Sequence, residues 1–151
     1  MTDQLGKETE VAARAQDRDL DDDGDVKQLL EQFARALTSG DGRAIARLWD
    51  VPALVIGDEA VHSVASREEV ERFFSGAKDQ YNEMGIVDTR PDIKRLDWVT
   101  DKIAMVRVRW PWVDGQGRES GEETSTYVLR REDDGGLKIR AVIMHGAAPR
   151  H

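Results

Sequence analysis

The sequence predicts a single α+β domain in which three helices pack in a curved, mostly antiparallel sheet of about six strands. Two observations lead to this prediction. Three consecutive runs with alternating apolar residues occupy the last third of the chain. Three segments with the apolar spacing of helices lie in the first two thirds, together with a hairpin and a further strand region.

The runs near the C-terminus are 102–113, 122–131 and 137–145, and the turn-rich segments GQGRESG and EDDGG separate them. Paired as antiparallel neighbours, they place alternate residues on one face, which we expect to be buried. The members of this predicted inner face are Val106, Val108, Trp110, Trp112, Glu123, Ser125, Tyr127, Leu129, Ile139, Ala141, Ile143 and His145. Its character changes from apolar to polar around Glu123 and His145, which indicates a lined pocket.

The first half of the chain predicts two helices and a hairpin. Asp25 is a suitable N-cap for a first helix that ends before Gly40 and has an apolar stripe on one side. A short second helix carries Trp49 at its end. Pro52 then marks the start of an extended run, which a turn connects to a return strand at 60–64.

A third helix is predicted after the hairpin. Ser66 and Glu69 form a capping box, and we expect the helix that follows to run without interruption to Gly85. The members of its apolar stripe are Val70, Phe73, Phe74, Ala77, Tyr81 and Met84. Residues 88–99 then predict a further strand region, and Pro91 marks its beginning or an irregular edge.

Composition excludes several classes of function. The 151 residues contain no cysteine, which excludes disulfides, thiolate metal sites and cysteine nucleophiles. No apolar stretch approaches the roughly 18 residues of a membrane span and the N-terminus lacks a signal-peptide pattern, so we expect a cytoplasmic protein without membrane contact. Clustered basic charge and glycine-rich phosphate loops are both missing. We therefore expect no nucleic-acid partner and no cofactor.

The net charge of −8 is concentrated near the N-terminus. Residues 1–25 hold nine acids and three bases, whereas the remaining residues hold 21 acids and 19 bases. A segment this polar cannot bury enough apolar surface to offset its ordering entropy. We expect residues 1–24 to form a disordered acidic tail that is dispensable for folding, 25–147 to form the domain, and 148–151 to be a short C-terminal tail.

Three local patterns match a known family. They are Leu48-Trp49-Asp50 before a P-A-x-V strand, the pattern S-x-E-E-V-x-x-F-F at 66–74, and V-R-V-R-W at 106–110. Together with the order of elements, they resemble the nuclear transport factor 2-like superfamily, in its SnoaL-like and ketosteroid-isomerase-like branch. The resemblance implies a cystatin-like cone, in which a sheet curls around helices and leaves a deep apolar pocket. It also implies a homodimer.

The resemblance does not carry over the catalytic residues of the steroid isomerases. Their general base lies at the end of the first strand, where this chain has Gly57 followed by Asp58. The first predicted helix contains no tyrosine to match their oxyanion donor. Isomerisation by that set of residues is therefore not expected.

His145 and Glu123 are the candidate catalytic pair. On the predicted register they are cross-strand neighbours on the inner face, beside Trp112. A carboxylate that orients an imidazole raises its basicity, which is how a general base is built. The alternative is a histidine at a strand end that pairs with a carboxylate near the rim. A β-bulge would move either residue to the other face.

Aromatic residues of the predicted inner face are candidates for ligand binding. Trp110, Trp112 and Tyr127 can form a wall for a flat apolar ligand, although large aromatic residues also serve simply as core. The full predicted ligand-binding set is Trp110, Trp112, Tyr127, Ser125, Phe33 and Phe74.

A metal site is not expected. Asp50, His62 and His145 have side chains that can bind metals, but no two of them have helical or tight-turn spacing. A structural role for Asp50 at the end of the second helix fits its position, and the face on which His62 lies stays open.

The opposite face of the three runs carries a mixture of basic, hydroxyl and apolar residues. Its predicted members are Arg107, Arg109, Thr124, Thr126, Arg140, Val142 and Met144. This mixture suits a solvated or dimerising surface better than a pocket. We expect homodimerisation through the part that bears Arg107, Arg109, Thr124 and Thr126.

Three functions remain open from the sequence. The first is a SnoaL-like protein that binds a small apolar molecule in a cone-shaped pocket. The second is an isomerase, cyclase or dehydratase that uses His145 and Glu123 for proton transfer. The third is a non-catalytic dimerisation module. The lack of a matched acid and base favours the first.

Overall fold

The structure is a computed structural model that describes residues 22–149, and the side chains of residues 22–146. In chain order the elements are α1 (22–39), α2 (Gly42–Leu48), β1 (Trp49–Ile56), β2 (Val61–Val64), α3 (Arg67–Phe73), α4 (Ala77–Glu83), β3 (Asp92–Trp98), β4 (Ile103–Val113), β5 (Glu119–Arg131) and β6 (Leu137–Pro149). The predicted α+β class and the mostly antiparallel sheet of six strands are confirmed.

The sheet has the strand order β2-β1-β6-β5-β4-β3. Neighbouring strands are antiparallel except β1 and β6, which run parallel. After β2 the chain passes through α3 and α4, forms β3 at the far edge and returns strand by strand until β6 lies beside β1. The sheet curves over the helices, so the core lies between its inner face and α1.

One apolar stripe of α1 holds this helix on the sheet. Val26 and Leu30 are fully buried and Phe33 is 2% exposed. They belong to the same core cluster as Val106 and Leu129 of the sheet. Burying a side chain of this size stabilises the fold by about 1.5–3 kcal/mol. The stripe therefore fixes the position of Phe33, which contributes to the site described below.

The first helix begins earlier than predicted. It already includes Asp22, so Asp25 lies inside the helix and is not its N-cap. The Asp22 carboxylate pairs with the guanidinium of Arg131, and Asp23 Oδ1 accepts a hydrogen bond of 3.1 Å from Trp98 Nε1. These acidic residues therefore contact the sheet.

The boundaries predicted for the two tails differ from the structure. Residues 22–24 belong to α1 and residues 148–149 belong to β6. Residues 1–21 and 150–151 lie outside the described part of the chain, so disorder there stays a prediction.

The predicted third helix is divided into α3 and α4. Ser66 caps α3 as expected, because its hydroxyl accepts a hydrogen bond of 3.2 Å from the Glu69 amide. Residues 74–76 then interrupt the helix. The Ser75 hydroxyl bonds back to a carbonyl oxygen of α3 at 2.8 Å, and Gly76 has low helix propensity. The expectation of one continuous helix was therefore wrong.

The first strand begins inside the segment predicted as the second helix. Trp49 is the first residue of β1, and Asp50 consequently lies in a strand. Pro52 also lies within β1, after a cis peptide bond. A residue without an amide N–H is tolerated there because the pairing of β1 with β6 is interrupted between Trp49 and Leu54.

One residue of β6, Arg140, is extra relative to β5. Ile139 pairs with Leu129 and Ala141 pairs with Val128, so Arg140 has no partner in β5. A β-bulge of this kind reverses the alternation of the side chains that follow it.

The bulge exchanges the two faces of the rest of β6. Val142 is 5% exposed on the inner face, where Met144 also lies. Ala141 and Ile143 lie on the outer face, and a second extra residue follows at His145. The predictions that Ala141, Ile143 and His145 face inward, and that Val142 and Met144 face outward, were therefore wrong.

The Arg140 side chain ties the bulge to its neighbours. Nη1 donates a hydrogen bond of 3.1 Å to the Val51 carbonyl oxygen and lies 3.6 Å from Asp50 Oδ2. Nε lies 3.7 Å from Glu132 Oε1, a buried oxygen without a hydrogen-bond partner in the described residues. One guanidinium thus connects β1, β6 and the residue that follows β5.

We expect Arg140→Ala to lower the free energy of unfolding by about 1–3 kcal/mol, because it leaves the Val51 carbonyl and the Glu132 carboxylate without this cation. The matched control is Arg95→Ala. Arg95 pairs with Asp97 but its side chain is 76% exposed, so a loss of about 0–1 kcal/mol is expected. Urea denaturation of both variants measures the difference. Equal losses would contradict the anchoring role of Arg140.

Candidate functional site

A cavity of about 290 Å³ lies between α1, the α3–α4 region and the inner face of the sheet. This volume is near the lower end of the range for small-molecule sites, about 300–1,000 Å³. Its wall is formed by Phe33, Leu37, Trp49, Val55, Phe73, Phe74, Gly76, Ala77, Gln80, Tyr81, Thr89, Trp110, Glu123, Ser125, Tyr127, Val142 and Met144.

Aromatic rings form much of the wall, and Phe33 is at their centre. Its ring centroid lies 5.6 Å from that of Phe74 and 6.1 Å from those of Trp49, Trp110 and Tyr127. These separations are typical of favourable aromatic contacts. The wall is therefore held in place by contacts between its own members, with α1 supplying the central ring.

Trp110 and Tyr127 are locked together on adjacent strands. Trp110 Nε1 donates a hydrogen bond of 3.0 Å to Tyr127 Oη, and the two rings are nearly perpendicular, at 85°. Burial raises the pKa of Tyr127 above its ordinary value, so its phenol stays neutral at physiological pH.

Glu123 places a carboxyl group in this wall. It pairs with Trp110 across the β4–β5 hairpin, which puts it on the inner face. Burial raises the pKa of Glu123, and the nearby Trp112 indole offsets this only in part. The indole N–H is buried without a well-formed hydrogen bond in the described residues, in keeping with a weak contact to the carboxyl group.

Tyr81 faces the same volume from α4. Burial raises its pKa, and the negative charge of Glu123 raises it further. The Thr89 hydroxyl is already committed, since it donates a hydrogen bond of 2.8 Å to the Pro111 carbonyl oxygen. The polar part of the cavity is therefore centred on Glu123 and Tyr81.

The structure places most of the predicted ligand-binding residues in the wall. Trp110, Tyr127, Ser125, Phe33 and Phe74 all line the cavity.

Trp112 does not contribute to the cavity wall. It is 5% exposed and pairs with Gly121, whereas Trp110 pairs with Glu123. The β4–β5 turn is confined to residues 114–118, which is shorter than the predicted loop. A shift of two residues keeps each side chain on its face but changes its cross-strand neighbour.

The structure does not bring His145 and Glu123 together. His145 is exposed, and its Nε2 atom lies 2.8 Å from Thr126 Oγ1 on the outer face. The expected contact was wrong because the extra residues of β6 change the direction of its side chains. His62 lies opposite Val55, and its ring centroid is 6.0 Å from that of Phe73, at the edge of the cavity.

Sequence reasoning missed Tyr81 and Trp49 as wall residues. Tyr81 was assigned to an apolar helical stripe and Trp49 to a helix end. A tyrosine on a buried stripe is itself a signal, because its hydroxyl needs a polar neighbour. Glu123, the acidic residue that lines the same cavity, is 42 positions away in the sequence.

The described part of the chain contains neither a metal-binding cluster nor a membrane-spanning helix. No three histidine, aspartate or glutamate side chains within residues 22–146 converge where a metal ion could bind. No helix between residues 22 and 149 combines the length and apolar character of a membrane-spanning segment.

Solved structures share this fold. A cystatin-like domain of unknown function from Nostoc punctiforme has a TM-score of 0.65 and 19% identity, over 86% of this chain and 78% of that one. An NTF2-like protein from Novosphingobium aromaticivorans has a TM-score of 0.64 and 18% identity, over 90% and 87%. One of unknown function from Shewanella oneidensis has a TM-score of 0.61 and 18% identity, over 80% and 96%. These likenesses establish the fold alone, and no curated protein matches the chain.

The curved sheet, the helices inside it and the cavity between them define a protein of the nuclear transport factor 2-like class. The family described as NTF2-like protein (DUF6841) matches residues 21–147, and the chain belongs to this family. The predicted resemblance is therefore confirmed for the superfamily, and the SnoaL-like branch stays a prediction.

We expect Glu123 to reduce stability as the pH rises. The folded protein binds a proton at Glu123 more tightly than the unfolded chain, so the free energy of unfolding falls as the pH rises from the ordinary pKa of 4.5 through the raised pKa. Glu123→Gln cannot titrate and should lose less stability over the same interval. Urea denaturation across this pH range measures the difference.

The control for this titration is Glu122→Gln, which removes one carboxylate from the other face of the same strand. A stability difference between the wild type and Glu123→Gln that stays constant across the interval would contradict the effect of burial on Glu123.

Proposed function

We propose that the protein binds a small, mainly apolar molecule in the cavity, with one polar group of the ligand directed at Glu123. The observation that carries this proposal is that aromatic rings and a carboxyl group with a raised pKa line the same cavity. Apolar sites with few, well-placed polar groups are typical of small-molecule binding.

The energetic cost of Glu123 supports a binding role. Removing a polar group from water without a compensating partner costs about 1–3 kcal/mol in proteins. An apolar side chain of similar size at this position would fill the same space without that cost. A ligand group that pairs with the carboxyl would provide the compensation.

Proton transfer is the second candidate, and the raised pKa of Glu123 favours it. A carboxyl group in an apolar cavity can exchange a proton with a bound substrate near neutral pH. His145 has no part in this version, because it lies on the outer face.

We expect 2-naphthylmethanol, a neutral aromatic probe, to bind the wild-type protein saturably in titration calorimetry. Ser125→Phe projects a ring into the cavity and should weaken binding about tenfold or more. Thr126→Phe is the matched control, because the adjacent side chain lies on the outer face, and it should bind as the wild type does.

A second blocking variant guards against misfolding of the first. Ala77→Phe fills the same cavity from α4, and thermal melting confirms that each variant is folded. The proposal fails if both folded variants bind like the wild type. It also fails if the wild type shows no saturable binding, up to millimolar concentration, of this probe or of the amine and the carboxylate with the same ring.

We also propose that two copies associate through the outer face of the sheet. Leu54, Ala141, Val128 and Met105 are cross-strand neighbours and form an apolar row over four strands. Leu54 is 41% exposed and Met105 is 38% exposed. The row adjoins the region of Thr126 predicted as a dimer surface, and an apolar centre with a polar rim is typical of protein interfaces.

We expect sedimentation to show a dimer at micromolar concentration and Met105→Lys to shift it to monomer, because a charge would be buried at the centre of the interface. Met84→Lys is the matched control. Met84 is 55% exposed beyond the end of α4, so this variant should remain dimeric. A wild-type monomer, or a dimer that persists in Met105→Lys, would contradict the proposed interface.

A further inference from the structure

We infer that the preferred occupant of the cavity is an apolar amine, whose ammonium group pairs with Glu123 while its hydrocarbon part packs among the aromatic rings. This inference rests on the proposed binding function and adds the chemical class of the ligand. It follows from the charges in the wall, from the hydrogen bonds already made there and from the chemistry of the rings.

The charge of the cavity wall is negative and lacks an internal counter-ion. Among the described wall residues, Glu123 is the charged side chain, and lysine, arginine and histidine do not occur. The other polar side chains are neutral: Gln80, Tyr81, Thr89, Ser125 and Tyr127. No described basic side chain influences the pKa of Glu123. A bound cation would therefore supply the positive charge that the wall residues do not provide to this carboxylate.

Apart from a weak contact with the Trp112 indole, the hydrogen bonds inside the cavity leave Glu123 available to a ligand. Trp110 donates to Tyr127 and Thr89 donates to a backbone carbonyl oxygen, so these donors are committed. An ammonium group supplies three N–H donors. One can pair with Glu123, and the hydroxyl oxygen of Tyr81, which faces the same volume, can accept another.

The aromatic wall suits a cation better than a plain hydrocarbon wall would. The rings of Phe33, Trp49, Phe74, Trp110 and Tyr127 all line the cavity. A cation near the face of such a ring is attracted by the negative charge of the ring face, and more strongly when the cation is removed from water. A carboxylate beside a set of aromatic rings is a combination that recognises organic cations.

Other ligand charges fit the cavity less well. An anionic ligand would bring a second negative charge close to Glu123 in a poorly solvated space, which is unfavourable. A neutral ligand can hydrogen-bond to Glu123 but leaves its negative charge without compensation.

Three ligands with the same naphthalene ring test this inference on the whole chain. They are 2-naphthylmethylamine, 2-naphthylmethanol and 2-naphthoate, which are cationic, neutral and anionic near neutral pH. In titration calorimetry we expect the amine to bind at least about tenfold more tightly than the alcohol, and the carboxylate to bind most weakly.

Two matched variants separate the contact from the general charge of the protein. Glu123→Gln should reduce the affinity for the amine about tenfold and leave the affinity for the alcohol within about twofold. Glu122→Gln removes the same charge from the neighbouring residue, which pairs with Arg109 on the outer face, and should keep the preference for the amine.

The pH dependence provides an independent measurement. The titratable groups that face Glu123 are Tyr81 of α4 and Tyr127 of β5, and both phenols stay neutral because burial raises their pKa values. Glu123, whose pKa is raised by burial, is therefore the wall group whose charge changes as the pH is lowered. Affinity for the amine should fall as the pH is lowered from about 7.5 to about 5, since a protonated carboxyl attracts a cation less. Affinity for the alcohol should not fall.

The outcomes distinguish this inference from the binding function on which it rests. If the alcohol binds the wild type at least as tightly as the amine, the inference is wrong and the binding function stands. If Glu123→Gln and Glu122→Gln reduce the affinity for the amine equally, the preference for the amine comes from the overall charge of the protein, and the inference is also wrong. Failure of all three ligands to bind would overturn both proposals.

Discussion

The geometry of the cavity depends on one extra residue in the central strand β6. Side chains of a strand alternate between the two faces, so a single unpaired residue exchanges the faces of the segment that follows. In β6 this residue is Arg140, and beyond it Val142 and Met144 enter the cavity wall. The residue that causes the exchange also secures it, because its guanidinium contacts β1 and Glu132, the residue that follows β5. The same β-bulge thus determines which side chains of β6 line the cavity and which lie on the outer surface of the sheet.

The carboxyl group of Glu123 is the second constraint on the cavity, and it lowers the stability of the fold whereas the aromatic wall raises it. The aromatic wall stabilises the fold by burying large rings, whereas the carboxyl among them loses hydration that the Trp112 indole replaces only in part. Proteins retain such groups where stability is exchanged for chemistry or recognition. In this domain the exchange is local, because the core below the cavity is apolar and fully buried around Leu30 and Val106.

The sequence allowed the fold class, the strand pairing order near the C-terminus and most of the aromatic wall to be predicted. Period-two alternation and helical spacing reflect which side chains are buried, and the spacing of apolar residues along the sequence shows this directly. The position of His145 could not be predicted, because a bulge such as that at Arg140 leaves no distinct local pattern. The role of Tyr81 was missed for a related reason. Glu123, whose charge acts on Tyr81, lies in a distant strand, and only the folded chain brings the two side chains to one cavity.

The interruption between α3 and α4 has a consequence for motion. α4 has no fully buried residue, although it supplies Ala77, Gln80 and Tyr81 to the cavity wall. A segment with little buried apolar surface opens at a lower free-energy cost than the sheet beneath it. An occupant that contacts Tyr81 would add to that small cost, so filling the cavity would slow amide hydrogen exchange first in this one helix. Hydrogen exchange of the amides in α4 would thereby show whether the cavity is occupied.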